Sequence, residues 1–393
     1  MTQASMLKRA SAVALCMFML AGCTTVKGWI GGRGKDKALE PAKLVEFTPS
    51  ANISQLWSVS AGKGEERLGL QQKPAIADGR VYAAAVEGGV RAFDLQNGQS
   101  VWNYPSELRL SGGPGAGDGL VVVGSLDGDV IALDAATGAE KWKAKVGNEI
   151  IAAPAVGNGM VFVRSNDGRV TALDAGTGER RWFASHEMPA LTVRGSAAPT
   201  LGPGYVFIGN DDGSVIALSM TDGSRLWDIP VAQPEGRSEL ERISDVDGSP
   251  ILADATLYAS SYKKQTMAID APSGRPLWVK DSGGAGGVGL GTDRLVVSDS
   301  AGTVWGLDRA TGSALWSQPI LARRSLTAPA VHGDYAVVGD YDGYLHWMKL
   351  DNGEMAARTR MGGKAIKAQP VVVDGVLVVQ NTNGEVSAFR LGQ

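Results

Sequence analysis

The feature that most constrains the fold of this chain is a unit of about forty residues that recurs eight times. In most copies an anchor position, usually the aspartate that ends an Ala-Leu-Asp tripeptide or a relative of it, is followed by glycine four residues later and tryptophan eight residues later. Successive anchors are separated by 40, 40, 45, 51, 38, 41 and 41 residues. The anchors are Asp94, Asp134, Asp174, Ser219, Asp270, Asp308, Lys349 and Arg390. Such a period is typical of folds in which each unit buries its apolar face against neighbouring copies.

Two further positions recur at a fixed distance before the anchor. A proline lies twenty residues before seven of the eight anchors, and a glycine lies six residues before seven of them. The segment from Pro154 to Asp174 alternates short runs of β-branched and aromatic residues with Asn-Gly and Asp-Gly turns. We interpret each copy as four short antiparallel strands, since these dipeptides favour tight hairpins. The sequence therefore predicts an all-β, eight-bladed β-propeller of four-stranded antiparallel blades.

The two ends of the repeat array predict how the ring closes. The eighth copy ends at Gln393 without its fourth strand, and a strand-like segment around Trp57 precedes the first complete copy. Pairing this N-terminal strand with the last blade would leave no open edge, so we predict a propeller over residues 51–393. We interpret the recurring tryptophans as packing between neighbouring blades, and the anchor aspartates as turn residues.

The N-terminus predicts export and lipidation. Lys8 and Arg9 precede an apolar run over residues 10–20, which is too short to span a bilayer and is typical of a signal peptide. The following Leu-Ala-Gly-Cys resembles the lipobox of bacterial lipoproteins. That resemblance implies a signal peptide over 1–22, a lipid anchor on Cys23 and a location at the outer membrane, facing the periplasm. Residues 23–50, rich in glycine and lysine, are predicted to form the lipidated cysteine and a flexible tether.

Charge and cysteine content exclude several classes of function. The net charge is −3, and removal of the two positive charges of Lys8 and Arg9 leaves −5, so we predict no nucleic-acid partner. Both cysteines, Cys16 and Cys23, lie near the N-terminus, and the rest of the chain therefore contains no disulfide framework and no thiolate metal site. The three histidines lack metal-ligand spacing. We predict no cofactor and no metal.

Two short motifs suggest cofactors but lack the necessary context. The segment from Gly284 to Gly289 satisfies G-x-G-x-x-G, yet it lies where a blade begins and no βαβ unit surrounds it. The segment Asp-Val-Asp-Gly at 245–248 resembles part of a calcium loop, but no glutamate completes the ligand set. Since no nucleophile motif is present either, we predict that the chain is not an enzyme and has no catalytic residues.

Two long connections between copies mark a candidate binding surface. They span residues 182–199 and 227–250, where the tryptophan and the next proline position are 17 and 23 residues apart. Each connects a fourth strand to the next blade, so both are expected on one face as neighbours. We interpret them as an apolar knob beside an acidic rim. The alternative is that Leu191 and Val193 only cover blade edges and that the acidic residues form a solvated loop. The candidate partner-binding residues are Leu191, Val193, Arg194, Asp245 and Asp247.

The repeat itself resembles a known propeller family. The pattern Ala-x-Asp-x-x-x-Gly-x-x-x-Trp, as over residues 132–142, resembles the tryptophan-docking repeat of the pyrroloquinoline-quinone (PQQ) dehydrogenases. The resemblance implies the fold but not the function. This chain lacks the adjacent cysteines of the quinoprotein alcohol dehydrogenases, and its sequence shows no acidic cluster matching their calcium site. A PQQ-dependent oxidoreductase remains an alternative, as does a lipid-anchored propeller that binds the cell wall.

A closer resemblance covers the whole chain. Together with the lipobox, the segments Leu-Thr-Val-Arg-Gly at 191–195, Glu-Arg-Ile-Ser-Asp-Val-Asp at 241–247 and Gly-Tyr-Leu-His-Trp at 343–347 are similar to the BamB family of outer-membrane protein assembly factors. That resemblance implies a non-catalytic scaffold lipoprotein that docks on the periplasmic POTRA domains of a BamA-type barrel subunit through the five candidate residues. It leaves open whether nascent outer-membrane proteins also bind.

Overall fold

Eight four-stranded antiparallel sheets, arranged as the blades of a propeller ring, confirm the predicted architecture. The computed structural model describes residues 40–64, 68–192, 195–233, 244–262, 265–284 and 286–392. All regular secondary structure in these ranges is β-strand, and none of it is a helix able to cross a lipid bilayer. Residues from Lys43 onward form the unit described below.

The first four blades follow one another along the chain, and in each the strands pair in sequence order. Their strands are, for blade 1, β2 (Ala75–Ala77), β3 (Arg80–Ala85), β4 (Gly89–Asp94) and β5 (Ser100–Tyr104); for blade 2, β6 (Leu110–Gly117), β7 (Leu120–Ser125), β8 (Asp129–Asp134) and β9 (Glu140–Lys145); for blade 3, β10 (Ala155–Gly157), β11 (Met160–Arg164), β12 (Arg169–Asp174) and β13 (Arg180–Ser185); and for blade 4, β14 (Thr200–Gly202), β15 (Tyr205–Gly209), β16 (Ser214–Ser219) and β17 (Arg225–Pro230).

The next three blades repeat this order, and the last blade combines the two ends of the propeller. Their strands are, for blade 5, β18 (Ile251–Ala253), β19 (Thr256–Ser260), β20 (Thr266–Asp270) and β21 (Pro276–Lys280); for blade 6, β22 (Val288–Leu290), β23 (Arg294–Ser298), β24 (Val304–Asp308) and β25 (Ala314–Gln318); for blade 7, β26 (Ala330–His332), β27 (Tyr335–Gly339), β28 (Tyr344–Lys349) and β29 (Met355–Arg360); and for blade 8, β30 (Val371–Val373), β31 (Val376–Gln380), β32 (Glu385–Leu391) and β1 (Ile53–Ser60).

The ring closes as the sequence predicts. Strand β1 pairs antiparallel with β32, from Ile53 opposite Leu391 to Ser60 opposite Glu385. This pairing supplies the fourth strand that the eighth copy lacks, and it joins segments more than three hundred residues apart. Completed in this way, the eighth blade has four strands like the others, and the ring has only the short, protected edges typical of propellers.

The recurring tryptophans dock each blade onto the next, as predicted. The indole Nε1 of Trp102 donates to the carbonyl oxygen of Ala135 in the following blade at 3.0 Å. Its ring lies against Gly138, where φ is 75° and an added Cβ would be 2.6 Å from the indole. The glycine is therefore required both by its backbone conformation and by close contact. The same hydrogen bond joins Trp57 to Leu95, Trp142 to Ala175, Trp182 to Met220, Trp227 to Ala271, Trp278 to Arg309 and Trp316 to Leu350.

The anchor aspartates act as turn residues, again as predicted. In blade 2 the Asp134 carboxylate accepts hydrogen bonds from the backbone amides of Ala136 and Thr137 at 3.1 and 2.9 Å. The Gly138 amide donates to the Asp134 carbonyl oxygen at 2.8 Å. These bonds fix the turn between third and fourth strands, and thereby place the next tryptophan at the blade boundary.

Blade 7 departs from the repeat, because Ala357 stands where the other blades carry the docking tryptophan. Trp347 on the neighbouring strand β28 is fully buried, and its ring contacts that of Phe389 in blade 8 at 6.1 Å between centroids. Its Nε1 donates to His332 Nδ1 at 3.3 Å. A tryptophan on the third strand thus replaces the missing one on the fourth strand and preserves the contact between blades.

The last part of the predicted tether lies against blade 7. The amides of Ser50 and Ala51 both donate to the carbonyl oxygen of Ala356. Leu44 packs on the apolar cluster between blades 6 and 7, and the guanidinium of Arg358 lies 5.1 Å from the ring centroid of Phe47. These contacts begin several residues before the predicted start of the propeller at residue 51.

Candidate docking surface on blades 3 to 5

Three connections meet on one face of the ring. Loop A (186–199) joins blade 3 to blade 4, and loop B (231–250) joins blade 4 to blade 5. The hub turn (210–213) connects the second and third strands of blade 4. Because successive connections of an up-and-down blade alternate between the two faces, all three lie on the same face. The predicted neighbourhood of the two long loops is therefore confirmed by the topology.

Leu191 in loop A is an exposed apolar residue, with half of its surface open to solvent. Its solvent-exposed position agrees with the predicted apolar knob. Val193 and Arg194, the next two candidates, lie outside the described residues, as do the lipidation candidate Cys23 and the acidic stretch 234–243 of loop B.

Asp245 and Asp247 are not the exposed rim that the sequence suggested. Asp245 has no exposed surface and Asp247 is 7% exposed. The apolar side chain of Val246, between them, packs in the core shared by blades 4 and 5. The expectation failed because a carboxylate in a loop was assumed to face water, whereas the backbone here turns inward toward the hub turn.

A third carboxylate joins this pair and was not foreseen. Asp211 in the hub turn is 3% exposed, and it can place a ligand atom within 4.8 Å of ligand atoms of Asp245 and Asp247. The only sequence signal was the Asn-Asp-Asp-Gly turn, which is typical of any hairpin. Three carboxylate oxygens at this separation are donors of the kind that hard divalent cations accept. We refer to these residues as the acidic cluster.

Arg164 supplies a counter-charge from blade 3. Its Nη2 donates to Asp211 Oδ1 at 2.6 Å, and its Nη1 donates to the Gly195 carbonyl oxygen in loop A at 3.1 Å. Both charged side chains of this ion pair are almost completely buried. Gly195 packs directly on the acidic cluster, since an added Cβ would lie 2.5 Å from Asp211 Oδ1 and 2.8 Å from Asp247 Oδ1.

The surroundings of Asp247 in the acidic cluster raise the pKa of its carboxyl group. Burial, reinforced by the negative charges of Asp245 and Asp211, raises the pKa of Asp247 to about 8, while Arg164 acts in the opposite direction. Its Oδ1 is buried and finds no hydrogen-bond partner among the described residues. The carboxyl of Asp247 therefore favours the protonated form at neutral pH.

The hub turn also holds the beginning of loop A and part of loop B. His186 Nε2 and Asp212 Oδ2 are 2.7 Å apart. The hydrogen bond with Asp212 raises the pKa of His186, against the opposing effect of burial. From loop B, Ser244 Oγ donates to the Asp212 carbonyl oxygen at 2.9 Å, and the Val246 amide donates to the Asn210 carbonyl oxygen at 3.0 Å.

Loops A and B are joined directly as well. The amide of Ala198 donates to Ser249 Oγ at 2.8 Å, and Thr200 Oγ1 donates to the Pro250 carbonyl oxygen at 2.6 Å. The described part of the surface is thus a base held together by a buried ion pair and hydrogen bonds, with an exposed leucine above it. A rigid base that presents an exposed apolar side chain suits recognition of another protein.

The fold and this surface define the class as a tryptophan-docked, eight-bladed β-propeller with elaborated loops on one face. Over residues 86–318 and 310–392 the sequence matches the family described as outer membrane protein assembly factor BamB. The chain belongs to this family.

Individual relatives agree with that membership. The chain is 58% identical to the outer membrane protein assembly factor BamB of Xanthomonas campestris pv. campestris, over 100% of both chains. It is 41% identical to the protein of the same name from Pseudomonas aeruginosa, over 98% of this chain and 99% of that one. These relatives are named for an assembly role rather than a catalysed reaction, in agreement with the prediction that the chain is not an enzyme.

Solved structures give the same result for the fold. The crystal structure of BamB from Moraxella catarrhalis matches with a TM-score of 0.79 at 29% identity, covering 86% of this chain and 100% of that one. A quinohemoprotein alcohol dehydrogenase from Comamonas testosteroni matches with a TM-score of 0.69 at 17% identity, covering 88% of this chain and 78% of that one. At this level of identity the second match is evidence for the propeller fold alone.

Proposed function

We propose that this protein is a non-catalytic scaffold lipoprotein of the outer-membrane β-barrel assembly machinery. It docks on the periplasmic POTRA domains of a BamA-type barrel subunit and assists the insertion of outer-membrane proteins. Membership of the BamB family supports the assembly role. The single observation that carries the docking surface is Leu191, an exposed leucine on loop A above a buried ionic base.

Leu191 acts as the apolar anchor of the docking surface. Val193 and Arg194 follow it in the same loop and contribute further apolar and charged contacts. Asp245 and Asp247 contribute from beneath, because both side chains are buried and do not face solvent. Burial of a central apolar anchor at an interface is typically worth about 2 kcal/mol or more.

Replacement of the anchor tests the docking surface. We expect Leu191→Ala to weaken binding of the full-length protein to the purified periplasmic region of the barrel subunit by about thirtyfold, which corresponds to about 2 kcal/mol. The melting temperature should stay close to wild type, because an exposed side chain adds little to the core. Combining Leu191→Ala with Arg194→Ala should abolish co-purification with the barrel subunit.

The matched control is Leu315→Ala on the outer strand of blade 6. Leu315 is 48% exposed and Leu191 is 50% exposed, so the two substitutions remove the same side chain from equally open surroundings. The control should bind as wild type. Equal loss of binding in the two variants would point to a general apolar effect and would exclude Leu191 as the anchor.

We also propose that a lipid on Cys23 anchors the protein in the outer membrane, facing the periplasm. Cys23→Ala should leave the protein unlipidated, because formation of the thioether needs the sulfur of that residue. The purified variant should then fail to partition into phospholipid vesicles that contain no barrel subunit. Cys16→Ala, which alters the other cysteine within the apolar run, serves as the control and should be lipidated and vesicle-bound. Retention of the Cys23 variant on such vesicles would contradict the anchor.

A further inference from the structure

The buried ion pair between Arg164 and Asp211 crosses a blade boundary directly beneath the docking surface. Arg164 ends the second strand of blade 3, whereas Asp211 belongs to the hub turn of blade 4. The tryptophan docking already joins these blades, through Trp182 and the carbonyl oxygen of Met220. The ion pair is therefore a second link between blades that are already joined.

The partners of the guanidinium indicate what the pair does instead. One arm of Arg164 binds the Asp211 carboxylate and the other binds the backbone of loop A at Gly195. The hub turn that contains Asp211 is also bonded to loop B, because the Val246 amide donates to the carbonyl oxygen of Asn210. A planar guanidinium can bind a carboxylate and a carbonyl in a fixed geometry, which a lysine ammonium cannot reproduce.

We propose that Arg164 and Asp211 are positioning residues that set the height and direction of loops A and B, and thereby of the apolar anchor Leu191. This proposal rests on the proposed function. Neither residue meets the partner, because both are buried below the surface that would touch it. The geometry of the acidic cluster favours the arrangement, since Arg164, bound to Asp211, holds the carbonyl oxygen of Gly195 and so keeps this residue against Asp211 and Asp247.

The experiment substitutes the guanidinium conservatively and uses a matched pair elsewhere in the ring. Arg164→Lys keeps the charge and removes the fork. Arg324→Lys is the control, because Arg324 and Asp340 form an equally buried pair at 2.7 Å on the same face at blade 7, away from loops A and B. Gly195→Ala is a second variant, since its added methyl group would push loop A away from Asp211 and Asp247 without a change of charge.

Three quantities are measured on each full-length variant: the melting temperature, the affinity for the periplasmic region of the barrel subunit, and hydrogen–deuterium exchange of peptides covering 195–201 and 244–252. We expect Arg164→Lys and Gly195→Ala to lower the affinity at least tenfold and to speed exchange in both peptides. Arg324→Lys should lower the melting temperature at least as much as Arg164→Lys, with affinity within twofold of wild type and exchange of these peptides unchanged.

Two results would overturn the proposal. One is an Arg164→Lys variant that binds within twofold of wild type. The other is an Arg324→Lys variant that loses affinity in proportion to its melting temperature, since binding would then follow global stability. If the wild-type protein does not bind the barrel subunit at all, the proposed function fails by itself. The exchange measurement then decides the positioning role: faster exchange confined to the two loop peptides supports it, and unchanged exchange rejects it.

Discussion

Two regions on the same face of the ring contain a buried arginine–aspartate pair, and they differ in how completely their buried carboxylates are hydrogen-bonded. At blade 7, Asp340 Oδ2 accepts hydrogen bonds from Arg324 Nε at 2.7 Å and from His346 Nε2 at 2.9 Å. Its Oδ1 receives the amides of Asp342 and Tyr344, each at 2.9 Å. The Asp340 carboxylate thus accepts four hydrogen bonds, two at each oxygen. Two of them come from the basic side chains of Arg324 and His346.

At blades 3 to 5 the balance is reversed. The acidic cluster brings three carboxyl groups together, of which Asp211 accepts a hydrogen bond from Arg164, and Asp247 Oδ1 has no hydrogen-bond partner among the described residues. A saturated buried network rigidifies a scaffold, whereas an incompletely satisfied one costs stability. Proteins tolerate that cost mainly at functional sites. The comparison therefore favours a scaffold role for the blade 7 network, and it supports our proposal that the acidic cluster serves the docking surface.

The largest expected effect breaks the scaffold network. Asp340→Ala should destabilise the protein by about 3–5 kcal/mol, because it leaves the buried guanidinium of Arg324 with only the half-exposed carboxylate of Asp342 at 3.5 Å and removes the hydrogen-bond acceptor of His346. Asp211→Ala should cost clearly less, since the carboxylate of Asp245 remains in the acidic cluster to balance the charge of Arg164. Urea unfolding of the two variants in parallel measures the difference. Equal losses of stability would mean that the two networks are energetically alike.

A smaller effect depends on pH. Because the pKa of Asp247 is raised to about 8 in the folded protein, the native state binds a proton that the unfolded chain releases near pH 4. The stability contributed by this group is full below that unfolded value and is lost as pH rises through the folded one. Asp247→Asn removes this decrease of stability with rising pH. The melting temperature of the variant minus that of wild type should therefore increase from pH 5 to pH 8.

Asp340→Asn is the matched control for this experiment. Burial opposes ionisation of Asp340, but its hydrogen bonds, first that from His346, lower its pKa below the ordinary value. The carboxyl is therefore ionised in both folded and unfolded states from pH 5 to pH 8, and the difference from wild type should be flat. A flat difference for Asp247→Asn as well would show that its carboxyl is ionised in the native protein.

The same contrast explains how far the sequence could predict the structure. Strand order, blade number, ring closure and tryptophan docking all follow from local patterns that recur every forty residues. The position of the long loops follows too, because it depends only on strand count. Asp211 and Arg164 could not be found in this way, since their pairing depends on side chains of two blades meeting across a boundary. Burial of Asp245 and Asp247 likewise depends on the backbone path of loop B.

The smallest expected effect concerns two histidines, one beside the hub turn and one in blade 7. His186 beside Asp212 has a raised pKa, chiefly through that hydrogen bond. His332 at blade 7 has a lowered pKa because of burial, with Trp347 donating to its Nδ1 and its Nε2 in contact with the Gly375 carbonyl oxygen. The stability that His186 contributes is present below its unfolded pKa of about 6.5 and is lost as pH rises through the folded value.

For His332 the sign is opposite, since its neutral form is the one that the fold accepts, and its contribution is lost as pH falls below about 6.5. His186→Gln should therefore lower the melting temperature more at pH 5.5 than at pH 8.5, by no more than about 1 kcal/mol in free energy, because the ion pair is partly exposed. His332→Gln should do so more at pH 8.5 than at pH 5.5. If both differences changed with pH in the same direction, the charge of His186 would not be held by the hub turn, and the electrostatic contrast between the two regions would rest on the acidic cluster alone.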